Sequence, residues 1–253
     1  MEDSQIAVSP CSNPEMDLDE VLSAYARIGF RKFEVFTGGL KSAFDCTGDL
    51  DLYRSQGEAC GMRFHSLHLP PVQAERLDET LDAAVRCAAA AARIGAEIVL
   101  YKASDRDTYV RAAPRFLDRI DGLGVTPVIQ NHFGTPVTSL DDMKAVIEGI
   151  ADPRMKALLE VGHFHSAGVS WNEAADYLGD LIALVHVKDQ IGRQSVPFGE
   201  GEIDLPGLFG FMDRAGYDGV YVVEMEVRDK ENTLAYLARA LEYVRAYCGK
   251  ATR

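Results

Sequence analysis

The sequence predicts an α/β chain folded as one (β/α)8 barrel, a single domain over residues 1–253. Three observations predict it. Eight short apolar runs alternate with amphipathic stretches from one end to the other, the signature of βα units around a parallel sheet. The length of 253 residues is close to the about 250 typical of eight such units. Polar residues also recur late in successive runs, at the strand ends where barrels place their sites.

The strand candidates are Gln5–Ser9, Lys32–Phe36, Arg63–Leu69, Ile98–Ala103, Thr126–His132, Ala157–Val161, Ile182–Lys188 and Tyr221–Val227. Between them, Leu18, Val21, Leu22, Tyr25 and Ile28 are spaced to share one helix face, as are Leu77, Leu81, Ala84, Val85, Ala88 and Ala92. Tyr109, Ala113, Phe116, Leu117 and Ile120, and later Leu234, Leu237, Ala238, Leu241 and Val244, repeat the pattern. Ser139-Leu140-Asp141-Asp142 and Ser170-Trp171-Asn172-Glu173 fit a capping box, in which hydroxyl and carboxylate each satisfy a free backbone N–H. Gly29, Gly61, Gly95, Gly124 and Gly216 each precede a strand, as helix-ending glycines do. An open doubly wound sheet also has βα units, but no G-x-G-x-x-G or phosphate loop follows the first run.

Hydrophobic residues make up 47% and charged residues 26%, which suits a packed domain rather than a disordered chain. A net charge of -13 without a Lys/Arg-rich run argues against nucleic acid as a partner. The start, Met1-Glu2-Asp3-Ser4, lacks a basic segment before an apolar one, and no membrane-length apolar stretch occurs, so no membrane partner and a cytoplasmic location are expected. The five cysteines (Cys11, Cys46, Cys60, Cys87 and Cys248) are scattered and never spaced CxxC, so structural burial is expected rather than disulfides or zinc. The sequence leaves open whether the chain forms a homo-oligomer.

Glu34, His68, Lys102, Gln130 with His132, Glu160, His186 with Lys188, and Glu224 with Glu226 all fall late in the apolar runs. Strand alternation sends residues two apart to the same face, so many of these groups converge on one barrel mouth. Glu160 follows Leu158-Leu159 and Glu224 follows Val222-Val223; carboxylates in such surroundings need a cation or donors to stay ionised. Two carboxylates, an imidazole and an amide oxygen make a hard site for a divalent metal ion: Mn²⁺ or Mg²⁺ first, Co²⁺ or Zn²⁺ as alternatives.

Leu158-Leu159-Glu160-Val161-Gly162-His163, Val185-His186-Val187-Lys188-Asp189, the run Val196 to Asp204, and Gly216-Tyr217-Asp218-Gly219 before Glu224 resemble, in order and spacing, the xylose isomerase-like TIM barrel superfamily. It includes sugar isomerases, epimerases, dehydratases and an abasic-site nuclease branch. The resemblance implies metal positions at Gln130, Glu160, His186 and Glu224, and His163 facing a small carbohydrate substrate. It implies metal-assisted removal of a carbon-bound proton, giving an enediolate that leads to epimerisation, isomerisation or dehydration. A non-catalytic sugar-binding barrel is the rival of another class.

Two departures matter. Gln130-Asn131-His132 stands where the family has Glu-Asn-His, and an amide cannot take a proton from carbon. Lys102 stands about where the nuclease branch has a histidine ligand; a lysine there can act as a base or bind an anion. Lys102 therefore joins Glu224 and His163 as a catalytic candidate, and with one carboxylate lost it would leave the metal cluster about one unit positive, favouring an anionic substrate such as a sugar acid. His68, His132, Lys188, Glu34 and Arg193 are candidate substrate contacts, His65 should face the helices, and Arg193 with Phe198-Gly199-Glu200-Gly201 reads as a mobile loop over the mouth.

Overall fold

The computed structural model describes residues 1–247; Cys248 lies outside the described residues. Parallel strands β1 (Ile6–Val8), β2 (Lys32–Phe36), β3 (Arg63–His68), β4 (Ile98–Leu100), β5 (Thr126–Gln130), β6 (Lys156–Glu160), β7 (Ile182–Val187) and, after a hairpin of β8 (Asp189–Ile191) and β9 (Gln194–Val196), β10 (Val220–Val223) carry the expected runs. Each parallel strand pairs with the next, and β10 pairs with β1 to close an eight-membered ring.

Period-2 alternation divides the apolar residues into two layers. Ala7, Ile98, Leu100, Val128, Leu158, Leu184, Val220 and Val222 point inward and fill the barrel. Their neighbours, such as Phe33, Leu67, Val99, Ile129, Leu159, Val185 and Val223, point outward against the helices. Two positions beyond the inner layer, on the same face, come Lys102, Gln130, Glu160, His186 and Glu224. A polar tier thus rests on an apolar plug.

The outer layer comprises α1 (Leu18–Ile28), α2 (Leu50–Ala59), α3 (Leu77–Ile94), α4 (Arg106–Ile120), α5 (Leu140–Ile150), α6 (Val161–Ser166), α7 (Trp171–Leu178), α8 (Leu205–Arg214) and α9 (Thr233–Arg245). Ser139 and Asp142 form the expected capping box at α5, but Ser170 makes no such bond at α7. Gly29 and Gly95 end α1 and α3 with φ of 119° and 89°, a left-handed conformation that side chains with a Cβ resist.

Three expectations are corrected. Cys46, in the loop after β2, is joined to Cys87 of α3 in a disulfide, because the fold brings their Cα atoms to 5.1 Å across 41 residues of sequence. Cys11 and Cys60 are half-buried free thiols. His65 does not face the helices. It is the extra residue of a β-bulge where Glu34 pairs with Ser66, and it lies at the N-terminal end of the barrel, 3.6 Å from Glu97, beside a cavity of about 490 Å³. The Gly-rich loop is tied down: the Asp189 carboxylate accepts the N–H groups of Gly199 and Gly201 at 2.8 and 2.9 Å. Gly201 is required there, since a Cβ would collide with that carboxylate.

Candidate metal centre

The centre is built on adjacent strands β6 and β7, where Glu160 and His186 are register partners, with Glu224 just past β10. Glu160 and His186 are fully buried and Glu224 nearly so. Glu160 Oε2 lies 2.8 Å and Glu224 Oε2 3.3 Å from His186 Nδ1. Neither Glu160 Oε2 nor His186 Nδ1 has a properly aligned hydrogen-bond partner. Gln130, at the end of neighbouring β5 and on the same inward face, is buried, its amide making no hydrogen bond among the described residues.

The other side of the His186 ring explains this convergence. Glu34, inward on β2 and fully buried, accepts from His186 Nε2 at 3.0 Å and from Ser66 Oγ at 2.9 Å. Burial alone would raise the Glu34 carboxyl, but His186 and His68 hold it well below the usual carboxylate range. An ionised carboxylate only accepts, so the nitrogen facing it carries the hydrogen and Nδ1 is left as a lone pair. A lone pair aimed at two carboxylate oxygens is repulsive unless a positive charge sits among them. Without a metal that charge is a proton: burial lowers His186, but Glu34, Glu160 and Glu224 together push it well above the ordinary imidazole value. Glu160 Oε2, His186 Nδ1 and Glu224 Oε2 therefore fit a divalent cation, and the Glu34–His186 contact is the outer support such ligands take.

Glu224 is steadied from behind. Lys188, fully buried, donates to Glu224 Oε1 at 2.8 Å and to Glu226 Oε2 at 2.7 Å. Burial works against the Glu224 carboxylate, but Lys188 and then His186 outweigh it and hold the group well below its ordinary range. The Lys188 stem passes over Gly162, where a Cβ would stand 2.9 Å from Lys188 Cδ. Asn131 exchanges two hydrogen bonds of 3.1 Å with the Glu160 backbone and locks the ends of β5 and β6 together.

The sequence profile described as xylose isomerase-like TIM barrel matches residues 22–247. The chain belongs to this family. An inosose dehydratase of Geobacillus thermodenitrificans (strain NG80-2) is 26% identical over 147 residues, 50% of this chain and 49% of that protein. L-ribulose-5-phosphate 3-epimerase UlaE of Salmonella typhi is 40% identical over 76 residues, 29% of this chain and 26% of that one. The chain thus aligns with half or less of the length of these relatives. The solved structure of IolI protein with a binding zinc atom superimposes with a TM-score of 0.79 over 97% of this chain and 99% of that one, at 15% identity, a likeness of fold.

Within this xylose isomerase-like barrel, the remaining sequence candidates separate into three groups. His163, half-buried on α6, packs against the exposed His132 with ring centroids 3.9 Å apart and planes tilted by 37°, and Arg193, exposed at the β8–β9 turn, lies over the Phe133 ring at 4.3 Å. These form a rim. His68 and Lys102 form an inner pair, with Lys102 Nζ 2.8 Å from His68 Nδ1 and the His68 ring stacked on Phe36 at 3.7 Å. Glu34 and Lys188 are buried beneath, bonded to other side chains of the site. Glu34 also changes the charge reckoning, because its carboxylate offsets Lys102 and leaves the cluster with a dication neutral; the inference to an anionic substrate falls away. Asp189 and Asn131, quoted only as members of matching segments, and Ser66 were given no role in sequence, since short polar residues at strand ends are common and only the fold shows what they bind.

Proposed function

We propose that the protein is a metal-dependent isomerase or epimerase of a sugar or keto-sugar. The observation that carries this reading is the convergence of Glu160 Oε2, His186 Nδ1 and Glu224 Oε2 at one buried point of the barrel mouth. Glu160, His186, Glu224 and the Gln130 amide oxygen would hold the ion, a reading also supported by the zinc of the structural neighbour. When bound, a dication there polarises a carbonyl or hydroxyl and acidifies the adjacent C–H bond.

Glu224 is the group that takes the proton, since Lys188 keeps it ionised. Abstraction leaves an enediolate, and return of a proton to either carbon or face gives isomer or epimer. Burial pushes His163 down to about 4, so its ring is neutral at the rim and both donates to and accepts from sugar hydroxyls. His132 and Arg193 border the same opening, and the carbohydrate substrate is a small molecule in keeping with the names of the relatives.

Gln130 favours a second reading, a dehydratase of an inosose, keto-sugar or sugar acid, because elimination needs one carbon base and not two carboxylates. The test is incubation of metal-loaded protein in D₂O with ketopentoses, ketohexoses, their phosphates, sugar acids and inososes, followed by NMR. Deuterium at the carbon beside the carbonyl with the sugar's water retained supports isomerase or epimerase, and loss of water supports the lyase. No exchange with any compound would sink both and leave a binding barrel.

A further inference from the structure

We propose that Lys102 is the second proton-transfer group of this site, acting on the face of the substrate opposite Glu224, with Glu34 and His68 as the pair that positions it. The inference rests on the proton-abstraction reading above and assigns the group that reading lacks.

The ring order supplies the first reason. Around the closed barrel β4 stands four places from β10, so Lys102 and Glu224 approach the mouth from opposite walls. A proton removed on one side and returned on the other inverts a carbon, and a base on one side with an acid on the other assists elimination. Gln130 can do neither, because an amide neither gains nor gives a proton near neutral pH.

The second reason is the environment of Nζ. Glu34 Oε1 lies 3.2 Å from His68 Nε2. His68 Nε2 makes no aligned hydrogen bond with that oxygen, but His68 Nδ1 lies 2.8 Å from Lys102 Nζ. An ammonium only donates, so Nδ1 presents its lone pair and the ring hydrogen sits on Nε2, toward Glu34. Phe36, stacked on His68 and 5.8 Å from Nζ, fixes both. A lone-pair acceptor serves an ammonium and an amine alike, so the lysine keeps its place in either protonation state. Lys102 has no carboxylate within ion-pair distance among the described residues, unlike Lys188, which is held between two. The charged or titratable groups facing it are His68 from β3, Glu34 from β2, Cys11 from the turn after β1 and Glu224; burial lowers Lys102 by more than the anionic groups raise it.

The balance is simple. The Glu224 carboxylate takes the C–H proton, and the electron pair stays in the enediolate. The Lys102 ammonium then gives its proton to the carbon from the other side, or to a departing hydroxyl that leaves as water, and becomes an amine. Glu224 returns its proton to solvent and Lys102 regains one.

The test uses metal-loaded protein and whichever compound of the D₂O panel shows exchange. Lys102→Met should still wash deuterium into the starting sugar within about threefold of the unmodified rate, while epimer or dehydration product forms at least about 100-fold more slowly. Lys102→Arg should not restore product, since a guanidinium keeps its proton. Product formation by Lys102→Met at the unmodified rate, or rescue by arginine, overturns the proposal. If the unmodified protein exchanges nothing, the functional reading has failed and Lys102 is judged by ¹⁵N NMR of its Nζ. Titration below the ordinary lysine value of about 10.4, shifted further by His68→Phe, upholds the environment assigned to it; an ordinary, unshifted titration refutes it.

Discussion

Glu34 meets two histidines through one oxygen, hydrogen-bonded to His186 Nε2 at 3.0 Å and lying 3.2 Å from His68 Nε2 without hydrogen-bond alignment. His186 is left with a lone pair for a cation and His68 with one for Lys102. Removing a true ligand should abolish stoichiometric binding, so alanine at Glu160, His186 or Glu224 is expected to give metal-free protein by elemental analysis. Full occupancy in all three would remove the site. Glu34→Gln keeps an acceptor but not the charge, and metal affinity should fall about 10–100-fold by competition with a chelating dye; unchanged affinity would mean Glu34 does not support the ligand. His65 gives a pH prediction at the same scale. Burial, aided by Lys32, takes its folded value down to about 4 from 6.5, so between these values the unfolded chain binds the extra proton. Stability therefore rises with pH through that window and is lost as pH falls from 6.5 to 4, by on the order of 3 kcal/mol from this residue. Denaturant titrations of the unmodified protein and His65→Gln at pH 7 and pH 4.5 check it: the acid loss should be smaller in the variant.

At the scale of elements, the joins after the strands do most of the positioning. The loop after β2 carries Cys46 and is bonded back to the strand through Phe44 N–H to Phe36 O at 2.8 Å, while Phe36 stacks on His68. The Cys46–Cys87 disulfide ties that loop to α3. Closing a loop of this length restricts the unfolded chain by about 4 kcal/mol. Reduction, or Cys87→Ala, should lower the thermal midpoint by roughly 10 °C. An unchanged midpoint under reducing conditions would show that the bridge contributes nothing. On the other side of the mouth, β8, β9 and the Gly-rich loop are gathered by one carboxylate, Asp189, so this segment is held where sequence composition reads as freedom.

The whole molecule combines a net charge of -13 with a mouth whose second histidine nitrogen is occupied by a lysine. Long-range repulsion of a phosphate backbone opposes nuclease chemistry. The purified, metal-loaded protein is expected not to cleave a duplex with an abasic site, by gel assay at low and physiological salt. Robust metal-dependent cleavage would overturn the account of Lys102 as a replacement for a ligand. No helix among the described residues is long and apolar enough to cross a membrane.

The sequence by itself determined the barrel, because each strand's two-residue alternation records which side meets the helices and which fills the interior. Leu158 before Glu160, Leu184 before His186 and Val222 before Glu224 write the polar tier directly into the chain. Only the tertiary structure decided the rest. The bulge that turns His65 away from the helices, the pairing of Cys46 with Cys87, and the meeting of Glu34 with His186 across 152 residues depend on distances between strands far apart in sequence. Periodicity fixes the face a side chain takes, but a hydrogen bond or a tautomer is set by the atom it meets there, and closing the ring is what brings those atoms together.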